Sequence, residues 1–149
     1  MIKGFFNFIE NNSMRYFKQL FIFFTGLFFS LTGNAQHKII WDMSSGDTAQ
    51  QSGLYKQINN VLAAAPDVKI EVVFHGIAVY ALLKDTGYHK EQIMALSQKG
   101  VVFAACNNSL KSRNIDRSRV IQQAIIVPVS ILELAKKQEK GWSYIKAGG

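Results

Sequence analysis

A chain of 149 residues suits one domain and leaves little room for a second. Its single Cys excludes an intramolecular disulfide, and with it any zinc site that needs two or more Cys. Hydrophobic residues at 48% and charged residues at 18% argue against disorder, while a net charge of +7 raises the question of where the basic residues lie. Nine of the 11 Phe fall within the first 35 residues. There Leu20–Leu31 is apolar apart from Thr25, Gly26 and Ser30. Arg15 and Lys18 precede it, and Gly33 and Ala35 occupy the −3 and −1 positions of a cut after Ala35. This succession predicts a secretory signal peptide over residues 1–35. The apolar stretch is shorter than the roughly 20 residues a spanning helix needs, and an uncleaved anchor is the competing reading. Met14 offers an alternative start, because Met1–Ser13 makes a long leader that carries Glu10. Cleavage removes three of the 17 Lys and Arg and one of the 10 Asp and Glu, leaving +5 on residues 36–149. The expected address is periplasmic or secreted, with no stable membrane span after cleavage.

Lys38–Met43 reads as a buried strand running into a Ser44-Ser45-Gly46-Asp47 loop. Asp47 is placed to cap a helix, with Gln50 completing a capping box. Leu54, Ile58, Val61, Leu62 and Ala65 line one helical face, and Pro66-Asp67 ends it. Lys69–Phe74 is a second strand, stopping at His75-Gly76. A short helix over Ile77–Leu83 and another from His89 to Gln98 follow, the latter with Ile93 and Met94 inward. Val101–Ala105 is the third strand, with Cys106 at its end, and Asn107-Asn108-Ser109 offers caps for a short helix to Arg113. Ala124–Val127 is the fourth strand. Ser130 and Glu133 form a capping box for a helix over Ile131–Lys140, and Trp142–Lys146 is a short fifth strand. Apolar strands alternating with helices imply a mostly parallel sheet of about five strands covered on both faces, an α/β three-layer sandwich.

Ligands of such a sheet bind beyond the C-terminal strand ends. Cys106 lies at one of them, directly before a helix start, where peptide dipoles favour a thiolate. Lys111 and Arg113 add positive potential. The competing reading is a buried structural Cys. His75 ends a neighbouring strand and is a candidate base or thiolate partner, and Gly76 lets the backbone approach a ligand. A His that only bonds its own loop is the alternative. Asn107, Asn108, Ser109 and Lys111 complete the candidate binding residues. Asp47 reads as a helix cap and Asp42 as a strand-end turn residue. No metal site and no cofactor are expected. The basic cluster Lys111, Arg113, Arg117 and Arg119 lacks aromatic interleaving, so nucleic acid is not an expected partner.

IIWDMSSGD, VVFHG, Val101–Leu110 (VVFAACNNSL), the Pro128–Glu133 turn and the QEKGWSY tail occur in this order. Over Lys38–Ala147 the chain resembles the DsrE/DsrF-like, or YchN-like, family. The resemblance implies a five-stranded α/β sandwich assembled as a homo-trimer or homo-hexamer. It also implies sulfur relay, in which a Cys holds sulfane sulfur as a persulfide between a donor and an acceptor. Carried over, that Cys is Cys106, while His75, Asn108 and Ser109 match motif positions without a fixed role. The expected function is an exported sulfur carrier or sulfurtransferase. The alternative is a non-catalytic ligand-binding or assembly module with a structural Cys.

Overall fold

The structure, a computed structural model, describes residues 36–147. The signal segment expected over residues 1–35 lies outside the described residues. Five strands form one parallel sheet: β1 (Lys38–Met43), β2 (Lys69–Phe74), β3 (Val102–Cys106), β4 (Ala124–Val127) and β5 (Ser143–Ala147). Their order is β4-β3-β2-β1-β5. The chain therefore steps outward from β1 to β4, then returns to place β5 on the far side of β1. The strand order reverses between β1 and β5, the point where open α/β sheets form a ligand crevice.

Alternation along the strands sorts the side chains onto two faces. Trp41 and Met43 of β1 share one face with Ile70, Val72 and Phe74 of β2 and Phe103 and Ala105 of β3. This face is covered by helix α1 (Thr48–Ala64), a 3₁₀ helix (Gly76–Leu82), α2 (Lys90–Gln98) and α3 (Asn107–Ser112). It holds 24 buried apolar residues, so it carries most of the apolar burial that stabilises the fold. The opposite face is covered by α4 (Ser130–Glu139) alone, with Ile40, Val73, Ala104, Val127 and Leu134 buried. Both parities of the strands are thus apolar, which is why they read as continuous runs.

Several local expectations change. Asp47 caps α1 through Ala49 N–H at 2.7 Å, but the reciprocal partner is Ser45, whose hydroxyl accepts the Asp47 N–H at 3.1 Å, and not Gln50. In α2, Ile93 is buried while Met94 is 46% exposed, and Leu96 takes the inward place. Asn107-Asn108-Ser109 supplies no side-chain cap to α3, whose N-cap is Cys106 itself. Val129 is the N-cap of α4, and Ser130 is its first helical residue, with no side-chain capping bond. Among the described residues no helix is long and apolar enough to cross a membrane.

Candidate functional site

The polar side chains of the sheet collect on the α4 face. Asp42 follows Ile40 on that face of β1, and Lys146 of β5 stands opposite it in register, with Tyr144 opposite Ile40. His75 continues β2 in an extended conformation, and its N–H donates to Met43 O at 3.0 Å, extending the strand pairing. The pleat therefore turns its ring to the same face as Val73, where Nε2 lies 2.6 Å from Asp42 Oδ1. Asp42 Oδ2 accepts from the Tyr144 hydroxyl at 2.8 Å and from Lys146 Nζ at 3.1 Å. Lys146 also donates to Ser44 Oγ at 2.9 Å. Burial opposes the charge of Asp42, but the bonds from Tyr144, Lys146 and His75 outweigh it and hold the carboxyl below its ordinary range. The same bond pushes the Tyr144 hydroxyl up. This network stands at the reversal of strand order, at the C-terminal ends of β1 and β5.

Cys106 ends β3 on the same face and is 2% exposed. The Ser130 N–H, one of the free donors at the N-terminus of α4, points at its sulfur at 3.3 Å. Burial opposes the thiolate, yet hydrogen bonding from Ser130 and Ser109 outweighs it and sets the thiol below its ordinary value. Ser109 also accepts the Gly76 N–H at 2.9 Å, tying the loop after β2 to the start of α3. Gly76 adopts φ of +59°, a conformation that favours glycine. Phe74 and Ala105 are the last partners in the β2–β3 register, and His75 and Cys106 directly follow them. No hydrogen bond joins the two side chains.

The structure thus brings Cys106, Ser109, Gly76 and His75 together. Asn107 follows Cys106 with its Oδ1 buried and unpartnered. Asn108 and Lys111 are exposed on α3 and make none of the site's hydrogen bonds. Asp42 is not a strand-end turn residue but the buried centre of a network, and Tyr144, Lys146 and Ser130 are site residues that local sequence reading passes over. The signal that locates them is parity: Asp42, Tyr144 and Lys146 occupy alternate positions of two strands that pair in register. Within the basic segment, Arg119 pairs with Asp85 of the loop after the first 3₁₀ helix, and Asp116 caps a 3₁₀ turn through Ser118 N–H. A cavity of about 520 Å³ lies elsewhere, lined by Gly46, Thr48, Gln51, Ile77, Tyr80 and Tyr88 among others. Among the described residues no group of three or more His, Cys, Asp and Glu is arranged to hold a metal ion.

Fold and site together define a small parallel α/β sandwich with a single hydrogen-bonded thiol at a strand end. The chain belongs to the DsrE/DsrF-like family, whose model matches residues 37–147. Among solved structures it is similar to MTH1491 of Methanobacterium thermoautotrophicum, described as a protein of unknown function. That likeness has a TM-score of 0.71 at 24% identity, covering 74% of this chain and 99% of that one. It is also similar to the ychN protein of E. coli, with a TM-score of 0.62 at 15% identity, covering 74% and 98%. At these identities the likeness shows the fold. No curated protein matches the chain.

Proposed function

We propose that this chain carries sulfane sulfur on Cys106. The observation that carries the reading is the thiol at the C-terminal end of β3, with Ser130 N–H 3.3 Å from its sulfur and the thiolate favoured, in a chain of the DsrE/DsrF-like family. The Cys106 thiolate attacks the outer sulfur of a persulfide or thiosulfate. One S–S bond forms at Cys106 as the donor's S–S bond breaks, and the donor's thiolate or sulfite leaves with the electron pair. An acceptor thiolate then takes the outer sulfur and restores the Cys106 thiolate, so no external oxidant enters. The charged, apolar and small-residue succession in residues 1–35 supports action outside the cytoplasm. Exposed Ile125, Ile131 and Leu132 at the β4–α4 edge support association of copies of this chain, as a homo-trimer or homo-hexamer.

The burial of Cys106 favours a second reading, in which the sulfur only receives the α4 N-terminus and the chain is a binding or assembly module. One experiment separates the two. Intact mass after exposure to polysulfide or thiosulfate is expected to gain one sulfur, to lose it with reductant, and to stay unchanged in Cys106→Ser. No sulfur on the wild-type chain, with alkylation at the ordinary thiol midpoint near about 8.5, sinks the carrier reading.

A further inference from the structure

We propose that Asp42 is a positioning residue for Cys106: it fixes which ring nitrogen of His75 exchanges a proton with the thiol. For the reaction served, this rests on the carrier reading above; for the geometry, it rests on the network alone.

Asp42 is only 6% exposed, and a buried carboxylate needs partners. It has three, and two of them come from β5, 102 and 104 residues further along the chain. Lys146 Nζ has no lone pair to offer, so against Oδ2 it can only donate. Tyr144 also donates to Oδ2, and the carboxyl is held below its ordinary range, so Asp42 is an ionised acceptor with no proton to give. The hydrogen between it and His75 must then sit on Nε2, which leaves Nδ1 as the lone-pair nitrogen of the neutral ring. Among the described residues no hydrogen bond engages Nδ1. His75 and Cys106 directly follow the last register pair of β2 and β3, and their bonds to Asp42 and to the Ser130 N–H place both side chains on the α4 face.

The proton sequence balances. Cys106 S–H gives its proton to Nδ1 and keeps the electron pair. The resulting thiolate attacks the donor's outer sulfur, the donor's S–S bond breaks, and the leaving thiolate or sulfite takes the electron pair and receives the proton back from Nδ1–H. Asp42 balances the positive charge on the ring between these events and is not itself protonated. Nucleophile, base and orienting carboxylate thus come from the ends of three adjacent strands, β3, β2 and β1. Tyr144 and Lys146 hold the carboxylate in place from β5. The titratable groups around His75 are Asp42 on β1, Tyr144 and Lys146 on β5, and Cys106 on β3; the Glu71–Lys137 pair joins β2 to α4 on the same face.

Two measurements on the full chain test this. The ¹⁵N ring spectrum of His75 is expected to show the proton on Nε2 in the neutral wild-type ring. The pH midpoint of Cys106 alkylation is expected to rise by about one unit in Asp42→Asn, roughly a tenfold lower thiolate fraction at neutral pH, and by less in Tyr144→Phe. A proton on Nδ1 in the wild type overturns the proposal, as does an unmoved midpoint in Asp42→Asn that melts like the wild type. If Asp42→Asn does not fold, an unmoved midpoint in Tyr144→Phe overturns it instead. Sulfur uptake is followed alongside. An Nε2 proton and shifted midpoints without any uptake would remove the carrier reading and leave Asp42 its role. Uptake with unmoved midpoints would do the reverse.

Discussion

The two faces of the sheet are made from alternate residues of the same strands, yet one is an apolar core and the other gathers the polar groups. On the first, Phe74 and Phe103 lie with ring centroids 6.2 Å apart, Phe103 meets Tyr55 at 6.4 Å, and four helical segments close over them. On the second, the same strands carry Asp42, Glu71, His75 and Cys106, and one helix packs on them through Leu134, with Trp142 against the same cluster. A face covered by one helix has fewer apolar side chains to bury and more room for polar groups at the strand ends. Burial on the first face makes the sheet rigid, and that rigidity is what holds the polar groups of the second in register.

Large-to-small substitutions should separate the faces most sharply. Phe103→Ala removes a fully buried ring and is expected to cost about 3–5 kcal/mol in urea unfolding. Leu134→Ala, on the α4 face, is expected to cost about 2 kcal/mol, the low end for such changes, because its cluster holds only five buried residues. Equal losses would break the comparison. Trp41, 2% exposed, reports the transition by fluorescence.

The next effect appears in slope. Two buried carboxylates share the α4 face and respond to pH with opposite sign. Burial pushes Glu71 above its ordinary 4.5, and its bond to Lys137 only partly offsets this. From 4.5 up to its folded value the folded chain binds the extra proton, so this contribution falls as pH rises. Asp42 sits below its ordinary 3.8, so its contribution is present above that value and is lost as pH falls through the folded value. Glu71→Gln should therefore flatten the decline above 4.5 and leave the acid-side loss intact, measured as urea midpoints across this range. A decline that survives Glu71→Gln would place its source in a group other than Glu71.

How much of this was legible follows from how local each signal is. Lys38–Met43, Lys69–Phe74 and Ala124–Val127 fall where β-branched runs and turn residues place them, and Cys106 stands at a strand end as its polar neighbours suggest. The family resemblance over the same span is met by the family match. What local pattern misses is pairing between distant strands. Asp42 is followed by Met43 and two Ser, so it resembles a turn residue; only the register with Lys146 makes it the centre of a network. Ser130 and Glu133 have the spacing of a capping box, but Val129 takes the N-cap position, and the freed Ser130 N–H goes to Cys106. Ile93, Met94 and Leu96 fit two helical faces equally over nine residues, and packing against α1 and β3 chooses Ile93 and Leu96.

The smallest effect probes the seam between the two faces. Gly76 leaves β2 with φ of +59°, so that its N–H reaches Ser109 Oγ at 2.9 Å. A Cβ there would meet only Ser44 O, at an ordinary 3.7 Å, so Gly76→Ala is strained by its backbone conformation and not by crowding. The expected stability loss is about 1–2 kcal/mol. The chemical consequence is separate. Ser109 is one of the two residues that lower the Cys106 thiol, and Gly76 fixes where its hydroxyl points. Gly76→Ala should therefore also raise the alkylation midpoint of Cys106, read on folded protein below the unfolding transition. A stability loss of this size with the midpoint unmoved would show that the loop after β2 supports the fold without tuning the thiol. A raised midpoint would tie the left-handed turn to the chemistry of the strand beside it.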